Sequence, residues 1–186
     1  AGIAPESLES GAIIITGETS KARNARPTIM NLSEKLGNFV VATAGPYLES
    51  IIAGQGAGAA EISQDIKGRV LNIDIGGGTS NYAIFENGEA KEAACLNVGG
   101  RLLELDSLGN VLRAHRPAKI ICEALFGASC DPTQLTHQQI REVTETMAQL
   151  VYEAAIGQPS TLAQQLMMSD NLQSFGSFNA VTISGG

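Results

Sequence analysis

Apolar residues recur along the chain in short runs whose period switches between two and about four, and the switches mark its elements. Residues 12–15 (Ala-Ile-Ile-Ile) and 38–44 read as buried strands, each stopped by glycine or proline. A short helix is expected between them, over 31–37. Leu48, Ile51 and Ile52 give residues 46–53 helical spacing, and a run of small residues follows at 54–60 (Gly-Gln-Gly-Ala-Gly-Ala-Ala). That run matches G-x-G-x-x-A at Gly54, Gly56 and Ala59. A helix rather than a strand precedes it, however, and no basic or hydroxyl residue follows, so the context of a dinucleotide fingerprint is missing. Close approach of two backbones, or a hinge, suits the small residues better.

After a polar connector at 64–69 the pattern becomes strand-like. Residues 70–75, 81–85 and 89–98 form three candidate strands, and Asn87-Gly88 between the last two is a strong hairpin signal. Type I′ turns want positive φ at both central positions, which Asn and Gly tolerate. Three consecutive antiparallel strands are expected. Gly99-Gly100 then opens a stretch read as helical through Leu105, and 111–114 is a candidate short strand. Thr136 is a candidate N-cap for a long helix to Ala155, because Ile140, Val143, Met147, Leu150, Val151 and Ala154 fall on one face. That face is core, and Met147 needs no functional account. A helix over 161–168 and a strand over 180–183 complete the pattern, the strand running into Ser184-Gly185-Gly186.

Composition narrows the class. With 186 residues and 44% hydrophobic content the chain can bury one good core or two small lobes. No apolar run approaches the roughly 20 residues of a membrane-spanning helix, and no basic n-region with an apolar core opens the sequence. Cys95, Cys122 and Cys130 are odd in number and lack Cys-x-x-Cys spacing, so reduced thiols in a cytoplasmic protein are expected. A formal charge of −7, with no Trp and 4% aromatics, argues against nucleic-acid binding. Any anionic ligand must therefore be held locally.

One place is suited to that. Gly76, Gly77 and Gly78 fall in the turn between the first two strands of the meander, where successive N–H groups without a Cβ shield can bind an anion. Thr79 adds a hydroxyl. Asp74, at the end of the preceding strand, would repel a phosphate unless a cation lay between them, and magnesium, with one or two carboxylates plus phosphate oxygens and waters, is the natural one. A glycine-rich hairpin turn with an incidental Asp is the plainer alternative. Against it stands the order of the other glycine pairs: Gly99-Gly100 at an expected helix start, where anions are favoured, and Gly185-Gly186 after a later strand.

A strand, Asp-x-Gly-Gly-Gly-Thr, a hairpin, a Gly-Gly pair and a distant strand ending in Gly-Gly resembles the second lobe of the actin, heat-shock chaperone and sugar-kinase superfamily over residues 70–186. The resemblance implies an α/β fold: an actin-like ATPase (ribonuclease H-like) lobe with a three-strand antiparallel meander plus helices, preceded by a small α/β segment. It makes residues 74–79 the second phosphate loop, Gly99 and Gly100 the turn beside phosphates and ribose, and 184–186 the start of the adenosine loop. It gives Asp74 and Thr79 catalytic roles, Asp74 the metal, and Gly76, Gly77, Gly78, Thr79, Gly99, Gly100, Gly185 and Gly186 the nucleotide, with ATP/ADP and Mg as cofactors. The implied division is 1–68, an N-terminal α/β segment, and 69–186, the nucleotide-binding lobe.

Thr16-Gly17-Glu18-Thr19-Ser20-Lys21, Val41-Ala42-Thr43-Ala44-Gly45-Pro46 and Leu71-Asn72-Ile73-Asp74-Ile75-Gly76-Gly77-Gly78-Thr79-Ser80-Asn81 further resemble the ethanolamine utilization protein EutA family over nearly the whole chain. That family is the reactivating factor of ethanolamine ammonia-lyase. The resemblance implies a chaperone-like ATPase that uses ATP and Mg to promote exchange of damaged cobalamin for adenosylcobalamin. The lyase would be the partner, and the setting a bacterial cytoplasm, in association with a microcompartment. No first phosphate hairpin of Asp-x-Gly-Thr type is found upstream, and the adenosine loop stops early, so the sequence reads as an internal fragment with weak or absent ATPase activity. A small-molecule kinase or an actin-like scaffold of the same superfamily would share the same glycines. The Lys21, Arg23 and Arg26 cluster reads as a solvated loop, and His115 and His137 as too isolated for a metal pair or relay.

Overall fold

A computed structural model of the chain describes residues 11–15, 39–43, 45–173 and 176–186. The expected helix over 31–37 and the Lys21, Arg23 and Arg26 cluster lie outside the described residues. Strands β1 (Gly11–Ile15) and β2 (Phe39–Thr43) pair in parallel, Gly11 opposite Phe39 and Ile15 opposite Thr43. Helices α1 (Pro46–Gly56) and α2 (Ala59–Asp65) follow. Then come the meander strands β3 (Arg69–Ile75), β4 (Ser80–Glu86) and β5 (Glu89–Leu96). A small hairpin of β6 (Leu103–Leu105) and β7 (Val111–Ala114) leads to helices α3 (Arg116–Phe126), α4 (His137–Ala155) and α5 (Thr161–Leu166). Strand β8 (Ala180–Gly185) closes the order.

The main sheet has the order β5-β4-β3-β8, with β8 parallel to β3 and the other pairs antiparallel. The mixed α/β fold with its three-strand antiparallel meander is therefore as expected. Asn87 and Gly88 both take positive φ, 53° and 83°, as the hairpin signal requires.

Alternation on the strands divides the sheet into two faces. On β4, Tyr82 and Ile84 join a large core that includes Leu71, Leu96, Ile121, Val143 and Leu150, so α3 and α4 cover that face. Ala83 and Phe85 point to the other side and meet Val70 and Ala59 under α1 and α2. Tyr82 is fully buried, and its phenol donates to the Val151 carbonyl at 3.1 Å, fastening sheet to helix. Burial drives the Tyr82 pKa upward, which keeps that phenol a donor.

Several expectations need correction. The connector over 64–69 is shorter than expected because α2 runs to Asp65, and residues 46–65 lie directly on the sheet rather than apart from it. Within the small-residue run, Gly54 and Ala59 serve this packing, while a Cβ on Gly56 or Gly58 would meet nothing within 4 Å. A Cβ on Gly54 would come within 2.4 Å of the Phe85 ring, so α1 crosses the sheet at glycine distance. The helix read after Gly99-Gly100 is a turn followed by β6, and α3 was not anticipated at all. The expected helix over 161–168 ends at Leu166, where Met167 bridges to Leu96. The long helix is as read: Thr136 caps it reciprocally with Gln139, a capping box.

Cys95, Cys122 and Cys130 are free thiols, and burial pushes Cys122 up to about 11. Among the described residues no helix is long and apolar enough to cross a membrane.

Candidate functional site

The turn after β3 is held from two sides. Gly76 N–H donates to the Thr79 carbonyl at 2.9 Å, closing the turn itself. From the β5 side, Gly100 N–H donates to the Gly76 carbonyl at 2.9 Å and Arg101 N–H to the Gly77 carbonyl at 2.8 Å. From the β8 side, Gly186 N–H donates to the Ile75 carbonyl at 3.2 Å. The three glycine groups, far apart in sequence, thus form one assembly.

The glycines in it answer to different demands. A Cβ on Gly99 would lie 2.5 Å from the Gly76 carbonyl oxygen and 2.6 Å from the Thr79 nitrogen. One on Gly185, whose φ is +104°, would lie 2.1 Å from the Ile75 oxygen. Only glycine fits at either place. Gly77 and Gly78 differ. Neither has left-handed φ, a Cβ on Gly77 would make ordinary contact with Arg101 at 3.6 Å, and one on Gly78 would meet nothing within 4 Å. Both are exposed, and their N–H groups have no acceptor among the described residues. Neither φ nor protein packing explains glycine at 77 and 78.

These residues open onto a cavity of about 810 Å³, lined by Gly76, Gly77, Gly78 and Thr79 on one side and by Arg101, Glu104, His115 and Arg116 on another. Leu166, Met167 and Ile120 add apolar lining, and Glu49 of α1 also lines it. His115 Nε2 lies 2.9 Å from Glu104 Oε1, and that hydrogen bond is the main reason the Glu104 carboxyl is held below its usual range.

Asp74 stands at the end of β3, half-buried, opposite Asn81 and beside Ser184. Its Oδ1 accepts from the Ser184 hydroxyl at 2.7 Å, and it is not among the residues lining the cavity. Ser184 also receives the Asn72 amide at 3.3 Å, while Thr182 donates to Asn72 Oδ1 at 2.8 Å, so a polar ladder links β3 to β8. Among the described residues no three His, Cys, Asp or Glu side chains gather to hold a metal ion. Asp74 offers a single carboxylate, enough only for a cation held mainly by phosphate and water.

Of the residues named from sequence, Gly76, Gly77, Gly78 and Thr79 face the cavity. Gly99 and Gly185 brace the turn by packing behind it. No helix starts at Gly99-Gly100: the Gly100 N–H donates to the Gly76 carbonyl and the chain turns into β6. Arg101, His115 and Arg116 also line the cavity, with no such place expected from the sequence. Arg101 follows the glycine pair directly, and Arg116-Pro117, with proline in a first helical turn, carried a start signal for α3.

A family model described as "Ethanolamine utilisation protein EutA" matches residues 1–186. The chain belongs to the EutA family. Two EutA relatives, from Escherichia coli (strain K12) and Salmonella typhimurium (strain LT2), are each described as an ethanolamine ammonia-lyase reactivase. They are 56% and 55% identical to this chain over 186 residues. Each alignment takes in 100% of the chain and 40% of the relative, so the chain spans about two fifths of their length. Among solved structures, MreB5 of Spiroplasma citri bound to ADP is 18% identical, covering 95% of this chain and 57% of that one with a TM-score of 0.41.

Proposed function

We propose that this chain carries the phosphate-binding half of an ATP/ADP site in a reactivating factor for ethanolamine ammonia-lyase. The observation that carries this reading is the pair Gly77 and Gly78: glycine is required there neither by φ nor by packing, and their N–H groups lack acceptors among the described residues. Phosphate oxygens would be received on those N–H groups, and the Thr79 hydroxyl would add a donor from the cavity wall. Gly99, Gly100, Gly185 and Gly186 would act from behind, by fixing the turn. Asp74, which precedes the turn but does not line the cavity, would be the residue to hold magnesium, its Oδ1 oriented by Ser184. A bound magnesium nucleotide supplies a phosphoanhydride to hydrolyse.

The nucleotide lobe would begin before α1 rather than at residue 69, because α1 and α2 share a core with the sheet. The printed descriptions of the E. coli and Salmonella relatives support ethanolamine ammonia-lyase as the client. Exchange of damaged cobalamin for adenosylcobalamin would be the outcome, in a bacterial cytoplasm and in association with a microcompartment. Phosphoryl transfer depends mostly on positioning by groups around the nucleotide, so turnover by this chain alone is expected to be weak or absent.

Calorimetric titration of the 186-residue chain with Mg·ADP tests the site. Binding by the wild type and its loss in Gly78→Val are expected. No binding by the wild type, or unchanged binding by the variant, would overturn the reading. Co-elution of the chain with ethanolamine ammonia-lyase tests the client.

A further inference from the structure

The cavity that includes the glycine turn is also lined by cations that the phosphate reading leaves unused. Arg101 and Arg116 both line it and both are exposed to it. Arg101 is fixed in place by its main chain, whose N–H donates to the Gly77 carbonyl at 2.8 Å, and its Cβ, Cγ and Cδ lie 3.6–3.9 Å from where a Gly77 Cβ would stand. The side chain therefore runs alongside the bare backbone of Gly77. Arg116 is held at the start of α3, directly after His115, whose N–H donates to the Leu102 carbonyl at 2.9 Å.

The acids of the same cavity are otherwise engaged. Glu104 is taken by His115 at 2.9 Å and approached by Arg113 at 3.9 Å, and Glu49 accepts from the Asn81 amide at 3.4 Å. Among the described residues neither Arg101 nor Arg116 has a carboxylate within salt-bridge distance. In a chain of net charge −7, two arginines without a salt-bridge partner among the described residues line one cavity, although the charge of Arg101 also helps hold the Glu104 carboxyl low. A guanidinium presents a planar fork of donors matched to phosphate oxygens.

We propose that Arg101 and Arg116 clamp the phosphate chain of a nucleoside polyphosphate against the N–H groups of Gly77 and Gly78, so that these arginines set the cavity's selectivity for polyanions. The assignment rests on the phosphate site above and adds the residues that supply its positive charge. The glycine turn provides shape but only partial charges; the arginines provide the full charges that a net acidic chain otherwise lacks there.

Calorimetry with ADP, inorganic tripolyphosphate and adenosine tests the clamp on the wild type, Arg101→Gln, Arg116→Gln and the Arg113→Gln control. Arg113 carries the same charge but lies outside the cavity lining. Loss of a charge-assisted hydrogen bond should weaken ADP and tripolyphosphate about tenfold for each cavity arginine, against less than about twofold for Arg113→Gln. Adenosine should bind no better to the wild type than to the variants. Arg101→Lys, which keeps charge without the fork, should fall between, and circular dichroism checks that each variant is folded. If the folded glutamine variants bind ADP and tripolyphosphate as the wild type does while Gly78→Val does not, the clamp is wrong and the phosphate turn stands. If the wild type binds neither anion, both fall together. Retained tripolyphosphate binding with no ADP binding would keep the clamp and remove the nucleoside.

Discussion

Gly99 and Gly78 belong to the same turn assembly, yet they are glycine for opposite reasons. At Gly99 three backbone atoms of the 76–79 turn stand within 2.7 Å of where a Cβ would be. At Gly78 nothing stands within 4 Å. The first is an internal constraint, met as soon as the chain folds; the second has no counterpart inside the fold, and on the proposed reading it comes from the phosphates that approach the turn. A glycine-rich motif thus separates into residues that build the site and residues that leave room in it, and the two kinds should respond differently to the same substitution.

The largest effect is expected at the packed positions. Gly99→Ala forces a methyl against backbone that cannot rotate away, and should cost about 3 kcal/mol in urea unfolding. Gly185→Ala adds backbone strain at φ +104° and should cost as much. A wild-type midpoint for either variant would erase the distinction between the two kinds of glycine.

Next in size comes Gly54→Ala, a packed glycine outside the site. The Phe85 ring at 2.4 Å is fully buried and has little room to retreat, so about 2 kcal/mol is expected. Here ligand affinity at the turn should hold once the protein is folded, which separates packing from binding.

Gly78→Ala is the sharpest probe. Stability should stay within about 0.5 kcal/mol of wild type, as for surface substitutions away from special features, while ADP affinity measured by calorimetry falls. A stability loss equal to that of Gly99→Ala would show that the turn needs glycine for itself.

The smallest effect concerns pH. Hydrogen bonding to His115 holds the Glu104 carboxyl below its usual range, so the stabilisation is present above the unfolded pKa and lost as pH falls through the lower folded value. Amide exchange in the β6–β7 hairpin should quicken across that acidic window, with the 76–79 turn unaffected. Equal quickening in both would mean that the hairpin and the turn open as one unit.

Local chemistry made much of this legible. Asn87-Gly88 has one sterically easy use, a turn with positive φ at both positions, and the structure has it. Thr136 with Gln139, followed by Ile140, Val143 and Leu150 on one face, specified a capped helix and its buried side. Failures occurred where distant segments decided. Leu102, Leu103 and Leu105 after Gly99-Gly100 fit a helix locally, but the N–H groups of Gly100 and Arg101 bind the turn, and β6 pairs with β7 instead. Arg101, His115 and Arg116 are unremarkable in a row of letters. They become a site wall because a hairpin returns His115 to Leu102 and brings Arg116 to the same cavity as Gly77.

The sequence by itself determined the alternation of the meander, its tight turn, the capped helix and the presence of bare backbone between Asp74 and Thr79, because each depends on φ preferences and periodicity within a few residues. Tertiary structure decided which glycines were constrained by packing, that Asp74 is engaged by Ser184, and which cations line the same cavity as the turn. Those outcomes depend on contacts between residues from about 20 to more than 100 positions apart, as in the bond from Ser184 to Asp74, and local preference carries no information about such distances.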